Sequence, residues 1–397
     1  MSILASRISR ISPSATLQMT ALAAELKRLN KPVYNMSVGE PDFATPMNIQ
    51  EAAKKAIDNN HTRYTPGSGT RDLKEAILYK IKRDNSLEYD LNNVIVSCGA
   101  KHSLYNACQA LFESGDEVIV FEPYWVSFPD FVSVTGAIPI YVKTNKKKQF
   151  EPDFDDLKKK INKKTKGIII NSPSNPTGGV WSNEALLQTL ELCNEQDIWV
   201  FSDECYEQFV YDGTYHSLAA LTNNNSRVLT FQSCSKTYAM TGWRIGYTIG
   251  DARVVSAMSK LQGQSTSCPN SIAQQAAVEA LVGDQSSVDN MCRTFQKRRD
   301  LILAQLMQIK KVECETPNGA FYVFPDFSNY LGAYYNEKQL KTSNDLCMYI
   351  LDSTGVVTVA GDSFGAPGYI RLSYATSEQT IIKATDLIKK ALSKLNF

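Results

Sequence analysis

The sequence predicts an α/β fold, with a large domain built on a mostly parallel central sheet flanked by helices and a smaller α+β domain. Three observations carry this. Between about residues 50 and 290, short apolar runs alternate with helical patterns. Those runs end in residues with chemistry to offer. After about residue 290 the alternation gives way to a long amphipathic stretch, two shorter strands and a closing helix. Strand, helix, strand in repetition means parallel pairing, with helices covering the sheet. A length of 397 residues suits one large α/β domain with a smaller companion.

In order, residues 1–47 are expected to form an N-terminal segment that joins the small domain. Its opening, MSILASRISRIS, lacks the apolar core of a signal peptide. The large domain is expected over 48–290. Its strand candidates are VIVSCG (94–99), DEVIVFEP (116–123), KGIIINSP (166–173), DIWVFSDE (197–204), RVLTFQ (227–232) and RIGYTIG (244–250). EALLQTLELCNEQ (184–196) reads as a helix between two of them. The small domain is expected over 291–397. It has a long helix in CRTFQKRRDLILAQLMQIKK (292–311), strands in NGAFYVF (318–324) and YIRLSYA (369–375), and a last helix from Ser377.

Bulk properties exclude several function classes. Formal net charge is +1, so no field recruits nucleic acid or an acidic membrane. The lysines at 146–148 are followed by Glu151, Asp153, Asp155 and Asp156 and read as a solvated helix face. Nine cysteines, none in a C-x-x-C pair, imply reduced thiols and a cytoplasmic setting. His61, His102 and His216 lie far apart in sequence, so no metal site is expected. No apolar run approaches the roughly 20 residues that span a bilayer.

Lys236, in SCSKTYAMTGWRIGY (233–247), is the most informative residue. It follows a buried strand, where an ammonium is costly unless paired or covalently consumed. Schiff-base formation with a carbonyl cofactor consumes it. Ser233 and Ser235 before it and Arg244 after it suit a phosphate. The plain structural reading is an exposed loop lysine, and the other strand ends argue against it.

Asp203 closes the DIWVFSD strand, where a carboxylate can keep a pyridine-type ring nitrogen protonated; alternatively it is a helix N-cap or a surface acid. Tyr206 and Asn175, the latter in the NSPSNPTG turn (171–178), can reach an oxygen on the same ring. Gly99, Ala100 and Lys101 turn from strand into helix, and such backbone N–H groups face anions. Trp125 can stack on a flat ring or simply pack in a core. Arg371 lies on an alternating strand and needs an anion, either a substrate carboxylate or a salt-bridge partner. Gly39, in GEPDFATP (39–46), allows close approach of backbone to a ligand.

Taken together, these residues make the chain resemble a class I aminotransferase, a fold-type I pyridoxal-phosphate enzyme. More narrowly, it resembles the bacterial-type aspartate aminotransferases of the group that also holds prephenate aminotransferases. The resemblance runs from about Ser6 to the C-terminus. It includes PSAT (13–16), GEPDF (39–43), YTPGSG (64–69), GAK (99–101), PYWVS (123–127), SPSNPTG (172–178), SDE (202–204), SK with AMTGWRIGY (235–247) and RLSYATS (371–377).

The resemblance implies a cofactor, pyridoxal 5′-phosphate, held covalently by Lys236, which also shuttles the proton. Asp203 would pair with the ring nitrogen, Asn175 and Tyr206 with the phenolic oxygen, and Trp125 would stack on the ring. The phosphate would be held by Gly99, Ala100, Ser233, Ser235 and Arg244, plus Tyr64 from the other subunit of a homodimer with shared sites. Arg371, with Gly39, Trp125 and Asn175, would bind the α-carboxylate.

Animal-type relatives bind the distal carboxylate through a partner arginine, but SKLQGQSTSCPN (259–270) contains no arginine. The branch that this chain resembles uses the lysine of the GAK turn, here Lys101, with Thr16 nearby. That implies reversible transfer of the amino group between L-aspartate and 2-oxoglutarate, giving oxaloacetate and L-glutamate. The alternative is an arogenate-forming prephenate aminotransferase, alone or as a second activity. Many members carry a lysine just before the Pro-Ser-x-Thr motif, and Ser12 stands there, which weakens the prephenate reading. A pyridoxal-phosphate β-lyase or a neutral or aromatic aminotransferase would waste Lys101. A regulator that binds the cofactor without turnover would not need the full catalytic set.

Overall fold

The computed structural model of the protein describes residues 3–222 and 227–397, without the side chains of Ala15 and Leu17. Its main sheet has eight strands. Their spatial order is Val94–Ser97, Gly246–Ile249, Val228–Ser233, Trp199–Asp203, Thr165–Asn171, Glu117–Glu122, Ile138–Asn145 and Glu151–Pro152. Pairing is parallel from Val228–Ser233 through to Ile138–Asn145. Gly246–Ile249 runs antiparallel to both of its neighbours. Each expected strand of the large domain is present. Ile138–Asn145 and Glu151–Pro152 were not anticipated from the sequence. The first carries Pro139 within its apolar run, which counts against a sheet strand, and only its Val142 is fully buried.

Alternation assigns the side chains to two faces. Val94, Val96, Ile119, Phe121, Ile168, Ile170 and Val200 point to one core. Ile95, Val118, Val120, Ile169, Phe201, Leu229 and Phe231 point to the other. The first face is covered by helices Met47–Asp58, Arg71–Asn85, Asn183–Glu195 and Ser271–Val282, and the second by Ala100–Leu111, Phe128–Ser133 and Ala252–Gly263. Burying each such aliphatic or aromatic side chain contributes about 1.5–3 kcal/mol. The double cover leaves only the strand ends free for ligands.

A third core gathers Met36, Tyr206, Phe209, Phe295, Phe321, Leu346 and Ile388. Here Tyr322–Val323, Ile370–Ser373 and Val359–Ala360 form an antiparallel three-stranded sheet with Ile370–Ser373 in the middle. Tyr34–Asn35 pairs in parallel with Val356–Val357, so the N-terminal segment joins the C-terminal part of the chain. The long helix starts earlier than its apolar pattern suggested and spans Ser286–Leu306. It crosses from one core to another: Val288 packs on the main-sheet core, and Met291, Phe295 and Ile302 on the third. The last helix is Glu378–Leu392, capped by the Ser377 hydroxyl, which accepts from the Thr380 N–H. The 146–148 lysines form a short 3-10 turn, Lys146–Lys148. Among the described residues, no helix is long and apolar enough to cross a membrane.

Candidate active site

A cavity of about 400 Å³ opens where the main sheet's strand ends meet the third core. Every site residue expected from the sequence lines it except Gly99 and Tyr64.

Ser233 ends a strand whose six residues are all buried and caps the one-turn helix Cys234–Thr237, its Oγ accepting from the Ser235 N–H at 3.1 Å. That single turn presents Lys236 to the cavity. Lys236 Nζ donates to the Gly39 carbonyl. Burial pushes its ammonium down to about 8, partly offset by Cys205 and Glu40. A lysine lowered this far holds a substantial share of nucleophilic free amine near neutral pH.

Asp203 ends the adjacent strand and is only 5 % exposed. Its Oδ1 accepts from the Cys205 N–H at 3.2 Å. Burial raises its carboxyl to about 6, with Cys205 and Lys236 pulling the other way. A buried carboxylate with so little compensation is suited to a cationic N–H that arrives with a ligand.

Asn171 lies opposite Asp203 in register. Its Nδ2 donates to the Asp203 carbonyl at 3.1 Å, and its Oδ1 accepts from the Asn175 N–H at 2.8 Å. This fixes the turn that carries Asn175. The Asn175 Oδ1 in turn accepts from Arg371 Nη1 at 2.8 Å. Arg371 Nη2 donates to the Ser37 carbonyl at 2.6 Å. Arg371 is 1 % exposed, lies over the Tyr322 ring at 4.6 Å, and its buried Nε has no partner. An orphaned guanidinium N–H at a cavity wall fits a carboxylate. Tyr206 shares a 2.8 Å hydrogen bond with Tyr322, and burial pushes its phenol up.

On the other wall, Gly99 has φ +87° and caps the helix Ala100–Leu111. A Cβ on Gly99 would stand 2.4 Å from Arg244 Nη2, so the bare backbone is what lets the guanidinium sit against the helix start. Arg244 donates to the Cys98 and Thr241 carbonyls. With Ser233, Ser235 and the first helical amides, it is placed to cradle an anion. The Lys101 ammonium lies 4.9 Å from the Trp125 ring centre. It is lowered by partial burial and then by Arg244, with Asp130 opposing. Trp125 is braced edge-on by Phe128 and Phe131. Thr16 pairs with the Ser14 hydroxyl at 3.0 Å. Tyr64 is 90 % exposed and stands outside the cavity of its own chain.

Several lining residues escaped the sequence reading: Ser37, Glu40, Cys205 and Thr241 among them. So did the buried support behind the strand ends. Lys80, 1 % exposed, pairs with Glu207 and donates at 3.0 Å to Asn85 and to Gln232, the residue just before Ser233. One signal was available: Lys80 falls on the buried face marked by Leu73, Ala76 and Ile77. Among the described residues, no group of three or more His, Cys, Asp or Glu is placed to hold a metal.

The donor set fits a flat carbonyl compound bearing a phosphate: it offers an amine, a buried carboxylate, an indole face, a set of donors placed for an anion and a free guanidinium N–H. The family profile described as "Aminotransferase class I and II" matches residues 31–388. An aspartate aminotransferase of Bacillus sp. is 40 % identical, over 98 % of each chain. A probable aspartate/prephenate aminotransferase of Rickettsia bellii is 42 % identical over the whole of both. The crystal structure of the Rhizobium meliloti aspartate aminotransferase superposes with a TM-score of 0.95, at 40 % identity and full coverage of both chains. That of the Thermus thermophilus enzyme with maleate gives 0.93 at 37 %, covering 98 % of this chain and 100 % of the other. The chain belongs to the class I and II aminotransferases.

Proposed function

We propose that the protein is a pyridoxal-phosphate-dependent aspartate aminotransferase, exchanging the amino group between L-aspartate and 2-oxoglutarate. One observation carries this reading: a single cavity joins the lowered amine of Lys236, the buried Asp203 and the buried, partly unpaired guanidinium of Arg371.

When bound, pyridoxal phosphate supplies a carbonyl for the amine and a ring that draws electrons from the substrate Cα. Lys236 holds it, then takes the Cα proton at Nζ and returns it. Asp203 keeps the ring nitrogen protonated. Asn175 and Tyr206 contact the phenolic oxygen, and Trp125 covers the ring. Gly99, Ala100, Ser233, Ser235 and Arg244 hold the phosphate, joined by Tyr64 of the partner subunit in a homodimer. The exposure of Tyr64 supports that last role, because a large aromatic at 90 % exposure is left open to a partner by the described residues of its own chain. Arg371 takes the α-carboxylate, with Gly39, Trp125 and Asn175 shaping the wall.

Lys101 and Thr16 take the distal carboxylate, an assignment supported by the absence of arginine from 259–270. The expected setting is the cytoplasm, supported by nine cysteines that are all free. The domain division at 47/48 and 290/291 belongs to the same proposal, and the helix Ser286–Leu306 would be the continuous joint between the two parts.

The reading is tested by single-turnover spectroscopy of the cofactor-loaded protein. Aspartate and glutamate should bleach the visible band, and oxaloacetate or 2-oxoglutarate should restore it. If only a neutral amino acid bleaches it, or pyruvate accumulates, the dicarboxylate assignment fails. Prephenate is a second acceptor to try, because several relatives carry the double name.

A further inference from the structure

An amino acid and its 2-oxo acid present the same carboxylates, so cationic receptors cannot tell them apart. They differ at one group, an ammonium against a neutral carbonyl. Four cations line the cavity: Lys101, Lys236, Arg244 and Arg371. Among the described residues only two carboxylates line it, Asp203 and Glu40. Asp203 is buried at a strand end and engaged with the Cys205 N–H. Glu40 is exposed, at the cavity mouth. Its Oε2 accepts from Thr241 Oγ1 at 2.7 Å, and its Oε1 accepts no hydrogen bond among the described residues. The residue before it, Gly39, accepts from the reacting amine of Lys236.

We propose that Glu40 receives the α-ammonium group of the incoming amino acid, and so discriminates amino acids from 2-oxo acids at this site. The inference rests on the aminotransferase reading above and adds a residue to its recognition. A mouth carboxylate beside Lys236 draws the ammonium to the amine with which it must exchange. It offers nothing to an oxo acid and repels its carboxylates weakly. The same proximity makes Glu40 one of the groups that favour the charged form of Lys236.

The test is the Glu40→Gln holoenzyme, because the amide keeps an acceptor oxygen for Thr241. KM for aspartate and glutamate should rise roughly threefold to tenfold, the range of an exposed charge-assisted contact, with kcat nearly unchanged. KM for oxaloacetate and 2-oxoglutarate should stay level or fall. Calorimetric titration should show the same weakening for 2-methylaspartate, which has the ammonium and both carboxylates but no α-hydrogen. Succinate, which lacks the ammonium, should bind both proteins equally. Equal KM changes for amino and oxo acids, or an unchanged Kd for 2-methylaspartate, would overturn the assignment. Failure of the underlying reading looks different: the unaltered holoenzyme would neither turn over aspartate nor bind succinate.

Discussion

Arg371 and Asn175, 196 residues apart in the chain, are joined at 2.8 Å through Nη1 and Oδ1. This bond ties the three-stranded sheet of the third core to the turn after a main-sheet strand. It aims the guanidinium so that Nη2 meets the Ser37 carbonyl while Nε stays free. A lysine cannot reproduce this fork. Arg371→Lys should lower kcat/KM by about 100-fold or more for every amino acid, neutral or acidic. It should also lower stability, because Asn175 Oδ1 and the Ser37 carbonyl lose buried donors at about 1–3 kcal/mol each. Steady-state kinetics on aspartate and alanine check the first part. A loss confined to aspartate would move the α-carboxylate to another residue.

Asp203 costs the cofactor-free protein stability near neutral pH. Its carboxyl titrates at about 6 in the fold, against an ordinary 3.8. A folded acid raised in this way binds its proton more tightly than the unfolded chain does. Stability therefore falls as pH rises from about 3.8 through 6, and the full loss is present above that window. The difference is on the order of 3 kcal/mol. Asp203→Asn should raise the Tm of the cofactor-free protein at pH 8, with the gap closing as pH falls toward 4. It should also abolish most transamination. Calorimetry at the two pH values checks the sign, and equal Tm values at pH 8 would contradict it.

The residues at the ends of the main-sheet strands were legible in the sequence, and for a physical reason. Lys236, Asp203 and Asn175 each stand just beyond an apolar strand, where a charged or amide side chain conflicts with its surroundings and so announces itself. Ile138–Asn145 escaped because Pro139 interrupts its apolar run, and a proline counts against a sheet strand. Glu40 and Cys205 escaped because each is ordinary for its local segment. Only the folded chain brings Glu40 against Thr241, 201 residues away. The Lys80–Glu207 pair was hidden likewise: each residue has a plausible surface reading until their 127-residue separation closes.

Gly246 is a position whose importance comes from packing alone. It lies in the strand between Ser97 and Ser233 in register. A Cβ there would stand 2.2 Å from the Ala100 backbone nitrogen and 2.6 Å from the Gly99 carbonyl carbon. Neither can yield without moving the start of the helix that forms the anion cradle. Gly246→Ala should weaken retention of pyridoxal phosphate at least about tenfold, or 1.4 kcal/mol, and lower Tm. Gly242→Ala, with open space around it, is the control and should change neither. Equilibrium dialysis of the cofactor separates the two, and equal retention would mean that the cradle tolerates a shifted helix start.

Lys101 is the proposed determinant of substrate class. It sits between two possible anions, being close enough to Arg244 to feel the phosphate cradle and close enough to Trp125 to face the ring. If it serves the distal carboxylate, Lys101→Ala removes a charge-assisted contact made only by dicarboxylates. The kcat/KM for aspartate and glutamate should then fall about 10- to 100-fold, while alanine and phenylalanine change less than about threefold. If it serves the phosphate instead, the cofactor dissociates more readily, all four substrates lose equally at limiting cofactor, and saturating cofactor restores all four. Rate measurements on the four amino acids at saturating pyridoxal phosphate separate the two outcomes, because excess cofactor masks a retention defect and leaves a specificity defect untouched.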